Sequence, residues 1–323
     1  MSEQTNKPEQ AKPMNTMQKA IMASRAYSFP ASVIPIIFGS VLALPVVGGR
    51  FNFFNFILTL IGGVLIQVGT NVVNDIYDFK KGIDKADEKT GIPHGGSMVL
   101  SMGIADLKFM KMVAFISISV ATLIGIYLYT QVGPWILYLT AFGFLSAIFY
   151  TAAPVALKYK ALGDLQVIFS FGVGMTLGAY IVQTGQFAWG PILYSLPLGL
   201  LIDAILHSNN IRDINFDGKF GVKTLPILIG QDLSIKLYWA LLIGAYVSLI
   251  IFVAIGRISP FALLALITFP AAWKLMTMIS GIPDEPQARF EYGSKHTIMT
   301  AQLNIQFGLT LIIGLLVAYF FFS

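Results

Sequence analysis

Asn71-Val-Val-Asn74-Asp75-Ile-Tyr-Asp78-Phe-Lys-Lys-Gly-Ile-Asp84 closes a run of about twenty apolar residues that carries no charge. On a helix, Asn71, Asp75 and Asp78 stand at i, i+4 and i+7 and share one face. A second stretch repeats the pattern, Asn209-Asn210-Ile-Arg212-Asp213-Ile-Asn-Phe-Asp217, with Asn209, Asp213 and Asp217 at i, i+4 and i+8. In each copy an Asn precedes the first Asp by four residues. Four clustered carboxylates repel one another unless a cation lies between them. Hard oxygen ligands suit Mg²⁺, which takes one or two carboxylates together with phosphate oxygens.

The composition places these motifs in a membrane. Of 323 residues, 56% are hydrophobic and only 11% charged, against about 25% charge in a soluble domain. Cysteine is absent, which excludes a disulfide framework, a thiolate nucleophile and a thiolate metal site. The net charge of +5 does not call for a nucleic-acid partner, because the basic residues have a topological explanation given below. Residues 1–24 are polar and mixed, without the apolar core of a cleavable signal peptide. They read as a cytoplasmic tail with a short surface helix over Met14–Ser24, ahead of a single membrane domain over residues 25–323.

The expected fold is all-α, a polytopic bundle of nine transmembrane helices. The spans fall near Tyr27–Val47, Phe53–Val73, Phe109–Tyr129, Trp135–Ala153, Leu162–Thr184, Gly190–Ser208, Ile235–Ile255, Pro260–Ser280 and Gln302–Phe322. Each approaches the ~20 residues that cross a hydrocarbon core. Nine spans put alternate loops on opposite sides. The tail and the loops after spans two, four, six and eight, with the adjoining helix ends, then hold all but Arg50 and Arg257 of the 21 Lys and Arg. Basic loops face the cytoplasm, so the N-terminus and both acidic motifs are expected there. The second motif follows the first by 138 residues, Asp75 to Asp213, which suggests two related four-helix halves and a ninth helix.

An isolated Asp in such a loop most simply keeps the loop in water. That account fails for the set, because the acids recur at helical spacing, directly continue a span, and come with helical Asn. Polar groups at membrane depth are costly and face an interior cavity. A paired Mg²⁺–diphosphate site meets these conditions. Basic residues on the same side, Arg25, Lys80, Lys81, Lys158, Lys160, Arg212 and Lys223, could receive the charge that grows on a departing diphosphate. Arg212 and Lys223 flank the second motif and are the better candidates.

Asn74-Asp75-x-x-Asp78 followed by Asp84, with Asn210-x-x-Asp213-x-x-x-Asp217, resembles the UbiA-type intramembrane prenyltransferases. The resemblance runs from Ser24-Arg25 and Pro30-Ala-Ser-Val-Ile-Pro35 to the last span. Tyr150-Thr-Ala-Ala-Pro154, Leu162-Gly163-Asp164, His207-Ser-Asn-Asn-Ile-Arg-Asp213 and Lys223-Thr-Leu225 are most similar to the 1,4-dihydroxy-2-naphthoate polyprenyltransferase branch of menaquinone synthesis. It implies a helical bundle around a cavity open to the cytoplasm and the lipid. Asp75, Asp78, Asp213 and Asp217 would hold Mg²⁺ on a polyprenyl diphosphate, assisted by Asn74 and Asn210, with Asp84 nearby. The prenyl tail would lie between helices against apolar side chains and membrane lipid. An aromatic acceptor would attack the allylic carbon, in this branch with loss of CO₂, and Tyr150 could face the cation.

Some residues depart from that pattern. The Gly91–Ser97 loop is expected to carry a base, and the chain has His94 and then Met98. Asp203 lies inside span six, roughly 15 Å of helix before Asp213, with His207 one turn on. The pair could touch the acceptor ring, or could be a buried hydrogen-bonded pair without chemical role. His94 and His296 read as loop histidines, and Phe51–Phe56 as a lipid or interfacial anchor. Two other readings stand beside this one. The same fold could use 4-hydroxybenzoate, homogentisate, a haem or a lipid glycerol phosphate as acceptor. A cation or metabolite transporter is disfavoured because the far side has almost no polar residues to form a second gate.

Overall fold

The computed structural model describes residues 14–83 and 96–322. An Asn15 capping box starts α1 (Thr16–Ser24), the surface helix. Among the described residues nine apolar helices follow: α2 (Pro30–Val47), α3 (Phe53–Lys81), α4 (Leu107–Val132), α5 (Pro134–Phe149), α6 (Gly163–Thr184), α7 (Trp189–Phe220), α8 (Gln231–Ala254), α9 (Pro260–Ser280) and α10 (Pro286–Phe322). Among the described residues no strand forms; the backbone bridge between Lys160 and Lys223 is isolated. Eight of the nine helices are long and apolar enough to cross a membrane, so this is an integral membrane protein.

The expected fourth span is shorter than its hydropathy suggested. α5 has 16 residues, about 24 Å of helix, and ends at Phe149. Pro154 lacks the N–H that would continue the ladder, and it disfavours helical backbone at the residue before it. The expected ninth span errs the other way. The polar stretch before Gln302 is not a loop but the first half of the 37-residue α10. Its polar side chains are taken up by neighbouring helices. Arg289 donates to the Ile211 carbonyl at 2.7 Å and the Arg212 carbonyl at 3.1 Å. His296, expected in a loop, is fully buried against Ser208 Oγ at 2.7 Å and the Leu275 carbonyl at 3.0 Å.

Side chains pack into separate cores on either side of a central space. Leu198, Leu201, Tyr238, Leu242, Leu275 and Phe307 join α7, α8, α9 and α10. Val68, Val72 and Met110 join α3 to α4, while Leu128, Ile136, Leu177 and Ile181 join α4, α5 and α6. α2 belongs to both sides, through Phe38 to the first core and Ala43 to the last. Its close approach to α6 depends on Gly39, where a Cβ would overlap the backbone of Thr176. Polar groups inside the bundle are mostly paired, as a low-dielectric setting requires. Gln67 accepts from Ser32 at 2.6 Å and donates to the Ser28 carbonyl at 2.9 Å. Tyr246 and Thr268 bond at 2.7 Å. The Phe-rich start of α3 faces outward, with Phe53 and Phe54 exposed, as a lipid-facing anchor should.

Candidate active site

α3 continues in regular helix through its acidic motif to Lys81 and ends at Gly82, which takes the left-handed conformation (φ 78°). Asn74, Asp75 and Asp78 therefore project together and are buried. The Asp75 carboxylate accepts from the Arg25 guanidinium and from the Ser97 hydroxyl, and from the Ser97 N–H at 3.2 Å. Arg25 reaches it because the chain turns sharply at the end of α1, where Arg25 itself is left-handed (φ 53°). Gly96 lies directly against this pair, and a Cβ there would overlap both Arg25 and Asp75. Asp78 accepts from Lys158 Nζ at 2.5 Å, the Tyr159 hydroxyl at 2.6 Å and Asn74 Nδ2 at 3.0 Å. The Asn74 carbonyl oxygen in turn accepts from Lys158 at 3.0 Å and Thr151 at 3.4 Å.

α7 presents the second motif in the same manner. Arg212 forks onto both oxygens of Asp213, at 2.7 and 2.6 Å, a bidentate, charge-assisted arrangement. Its guanidinium also reaches Ser294 Oγ at 3.3 Å and lies over the Phe290 ring, 5.3 Å from the centroid. Gly293 leaves room for the Arg212 stem, since a Cβ at that position would meet its Cγ at 2.6 Å.

Both helix ends open onto one cavity of about 830 Å³. Asn74 and Asp78 line it from α3, Asn210, Asp213 and Asp217 from α7, and Arg25, Tyr150, Lys158 and Arg212 complete that end. Lys158 couples the two motifs electrostatically. Burial works against its ammonium, but Asp78, with Tyr150 and Asp217, outweighs burial and holds its pKa above the ordinary lysine value. Asp75 sits behind the lining, covered by Arg25 and Ser97.

Other expected residues fall elsewhere. Lys223 is exposed and its backbone pairs with Lys160, away from the cavity wall. Asp84 and His94 lie outside the described residues. Asp203 and His207 are buried but do not line the cavity. His207 does not bond Asp203: its Nδ1 meets Asp164 at 2.6 Å and its Nε2 meets the Ser234 carbonyl at 3.1 Å, so it ties α6, α7 and α8 together. Among the described residues Asp203 Oδ1 has no hydrogen-bond partner. The structure adds residues that the motifs did not single out. Tyr159, Ser97 and Thr151 act on the acidic end, and Asn304 lines the cavity, fully buried, with neither atom of its amide bonded among the described residues. Tyr159 and Ser97 carried a faint signal, one following Lys158 and the other ending the glycine-rich loop. Asn304 carried none beyond its polarity inside an apolar run.

The donor set fits a shared rather than a resident metal. Among the described residues no three His, Asp or Glu side chains gather closely enough to enclose an ion. The oxygens stand on two facing helix ends across a space, with bases interleaved. That arrangement suits Mg²⁺ held jointly by a few carboxylates and the phosphate oxygens of a ligand. The bases suit the same ligand, since Lys and Arg both bind phosphate oxygens.

Comparison with known proteins finds a matching family and solved structures of the same fold. Residues 32–299 match the UbiA prenyltransferase family. The chain is 32% identical over 321 residues to the 1,4-dihydroxy-2-naphthoate octaprenyltransferase of Bacillus subtilis, covering 98% of this chain and 99% of that one. It is 35% identical over 301 residues to the UbiA prenyltransferase domain-containing protein 1 homolog of Drosophila melanogaster, covering 91% and 78%. Among solved structures, a UbiA homolog from Aeropyrum pernix superposes with TM-score 0.68 at 17% identity, over 90% of this chain and 98% of that one. One from Archaeoglobus fulgidus, bound to GPP and Mg²⁺, gives 0.63 at 12% identity, over 91% and 99%.

Proposed function

The chain belongs to the UbiA prenyltransferase family, and from that premise we propose that it moves a polyprenyl group from its diphosphate to 1,4-dihydroxy-2-naphthoate, with loss of CO₂. The observation that carries this reading is the meeting of two acidic helix ends across one cavity, with bases set between them. The Bacillus subtilis relative is named for that acceptor, and the Archaeoglobus fulgidus homologue was solved with a prenyl diphosphate and Mg²⁺. The soluble acceptor and donor head group would enter from the cytoplasm, the side on which all but Arg50 and Arg257 of the Lys and Arg residues fall. A single membrane domain over residues 25–323 carries the activity, with residues 1–24 as its tail.

Asp78, Asp213 and Asp217 would hold Mg²⁺ with the diphosphate, and Asp75 would act from behind them. Bound there, the ion would offset the negative charge that develops on the leaving group. Lys158, Arg25 and Arg212 have carboxylate partners in the structure. Each can transfer donated hydrogen bonds to phosphate oxygens when the ligand arrives, which gives the departing diphosphate fixed positive charge. Asn74 and Asn210 orient the carboxylates and the ligand. As the carbon–oxygen bond breaks, the allylic carbon becomes electron-poor beside the Tyr150 ring, an aromatic face able to stabilise it. The acceptor carbon that bears the carboxyl group forms the new carbon–carbon bond. The bond to CO₂ then breaks, and its electron pair restores the ring.

Membranes carrying the protein, supplied with Mg²⁺, a labelled polyprenyl diphosphate and a panel of aromatic acceptors, test this. Transfer to dihydroxynaphthoate with release of CO₂ is expected. Chelation should stop it, as should Asp75→Ala or Asp213→Ala. Efficient transfer to another acceptor and none to the naphthoate would overturn the acceptor assignment.

A further inference from the structure

The cavity extends much deeper than a diphosphate requires. Its α3 wall runs from Asp78 back to Thr59, about 28 Å of helix. Its α5 wall runs from Tyr150 to Ile136, about 21 Å. Along α5 that wall includes Leu139, Phe142, Gly143, Ser146 and Ala147, with Tyr150 just past the helix end, at the three- and four-residue spacing of one broad helix side.

Gly143 stands in the middle of this face, and it differs from the other glycines there. A Cβ on Gly63 would overlap the Ile36 side chain, and one on Gly125 would overlap Thr140. At those two positions the missing side chain lets neighbouring helices approach. A Cβ on Gly143 would meet no atom within 4 Å. Its missing side chain serves no packing contact and instead widens the cavity. Gly143 lies seven residues from Tyr150, about 10 Å along the helix. An extended isoprene unit advances about 5 Å, from four carbon–carbon bonds of roughly 1.5 Å. With the reacting carbon at the level of Tyr150, Gly143 lies beside the junction of the second and third units.

We propose that Gly143 determines donor chain length, by keeping open the passage along α5 through which the third and later isoprene units run, so that the donor is a long-chain polyprenyl diphosphate. The proposal rests on the prenyl-transfer reading and deepens it. A donor of one or two units ends before Gly143. A donor of four passes it and gains the apolar wall beyond, where each buried methylene adds affinity.

The test compares dimethylallyl and geranylgeranyl diphosphates on the unsubstituted protein and on Gly143→Phe and Gly143→Leu, in membranes. The ratio of kcat/KM for the long donor to that for the short one should fall about tenfold or more in the variants. An unchanged ratio would overturn the proposal. A second measurement does not depend on turnover. The chain has no cysteine, so Gly143→Cys introduces a single thiol. With Mg²⁺ and no acceptor, geranylgeranyl diphosphate should slow modification of that thiol by a small membrane-permeant reagent, and dimethylallyl diphosphate should not. Equal protection by both, or protection by neither, sinks the assignment. If the unsubstituted protein transfers from no donor, prenyl transfer itself fails, and the protection experiment still reports on the passage.

Discussion

Tyr159→Phe isolates one contact of the acidic end. The hydroxyl donates to Asp78 Oδ1 at 2.6 Å, while Asp78 Oδ2 takes Lys158 at 2.5 Å and Asn74 at 3.0 Å. Phenylalanine keeps the ring, and with it the Lys81 ammonium seated 3.3 Å from the ring centroid and the packing against Ile83, Phe216 and Val222. Only the hydroxyl is lost. A hydrogen bond to a charged group contributes about 1.5–3 kcal/mol, and about 1.4 kcal/mol corresponds to a factor of ten. If Tyr159 positions Asp78 for the metal-bound donor, kcat/KM for the donor should therefore fall roughly 10- to 100-fold, with a higher half-saturating Mg²⁺ concentration. Initial rates with labelled donor across a Mg²⁺ series read both quantities. In an Asp78→Asn background the same change should cost little, because the carboxylate it serves is gone. A kcat/KM within about twofold of the unsubstituted protein, at unchanged Mg²⁺ half-saturation, would refute the positioning role.

Gly39→Ala should lower stability by about 1–3 kcal/mol, seen as a lower melting temperature in detergent, because its Cβ would press on the Thr176 backbone where α2 meets α6. Asn304→Leu should raise the melting temperature, since it removes two buried amide atoms that have no partner among the described residues and replaces them with apolar volume. His207→Leu strips Asp164 of a buried hydrogen-bond partner at 2.6 Å; a loss of about 1–3 kcal/mol is expected, and chemical denaturation of the purified protein measures it. Asp203→Asn should leave the acceptor KM unchanged, because Asp203 does not line the cavity; a raised KM would return it to the substrate site.

The motifs on α3 and α7 were legible because two constraints coincide there. A crossing helix must be apolar, so any carboxylate at its end stands out. Helical periodicity then says which of those carboxylates share a face. The same logic placed an apolar helix at each expected span, eight of them long enough to cross. It failed where hydropathy stops tracking helix length. α5 ends early because a proline follows it, and α10 begins early because Arg289 and His296 find partners on α7 and α9. A window average records their polarity but not those partners. Tyr159 and Thr151 escaped for a related reason. Their contacts to Asp78 and Asn74 close across 81 and 77 residues, and no local pattern encodes such a pairing.

Charge pairing explains why the acidic end can fold before any ligand arrives. Asp75, Asp78 and Asp213 are each matched by a base that is itself largely buried: Arg25, Lys158 and Arg212. Those bases come from the end of α1, the loop after α5, and α7 itself. Unmatched carboxylates at this depth would be costly, by several kcal/mol each, and would push the two helix ends apart. Bases of the kind that bind phosphate oxygens therefore also stabilise the acidic end itself. Bases are common at this end of the bundle in any case, where the chain also carries Lys80, Lys81, Lys160 and Lys223. What distinguishes Arg25, Lys158 and Arg212 from Lys223 is contact with the acids, which the positions of the basic residues in the chain do not disclose.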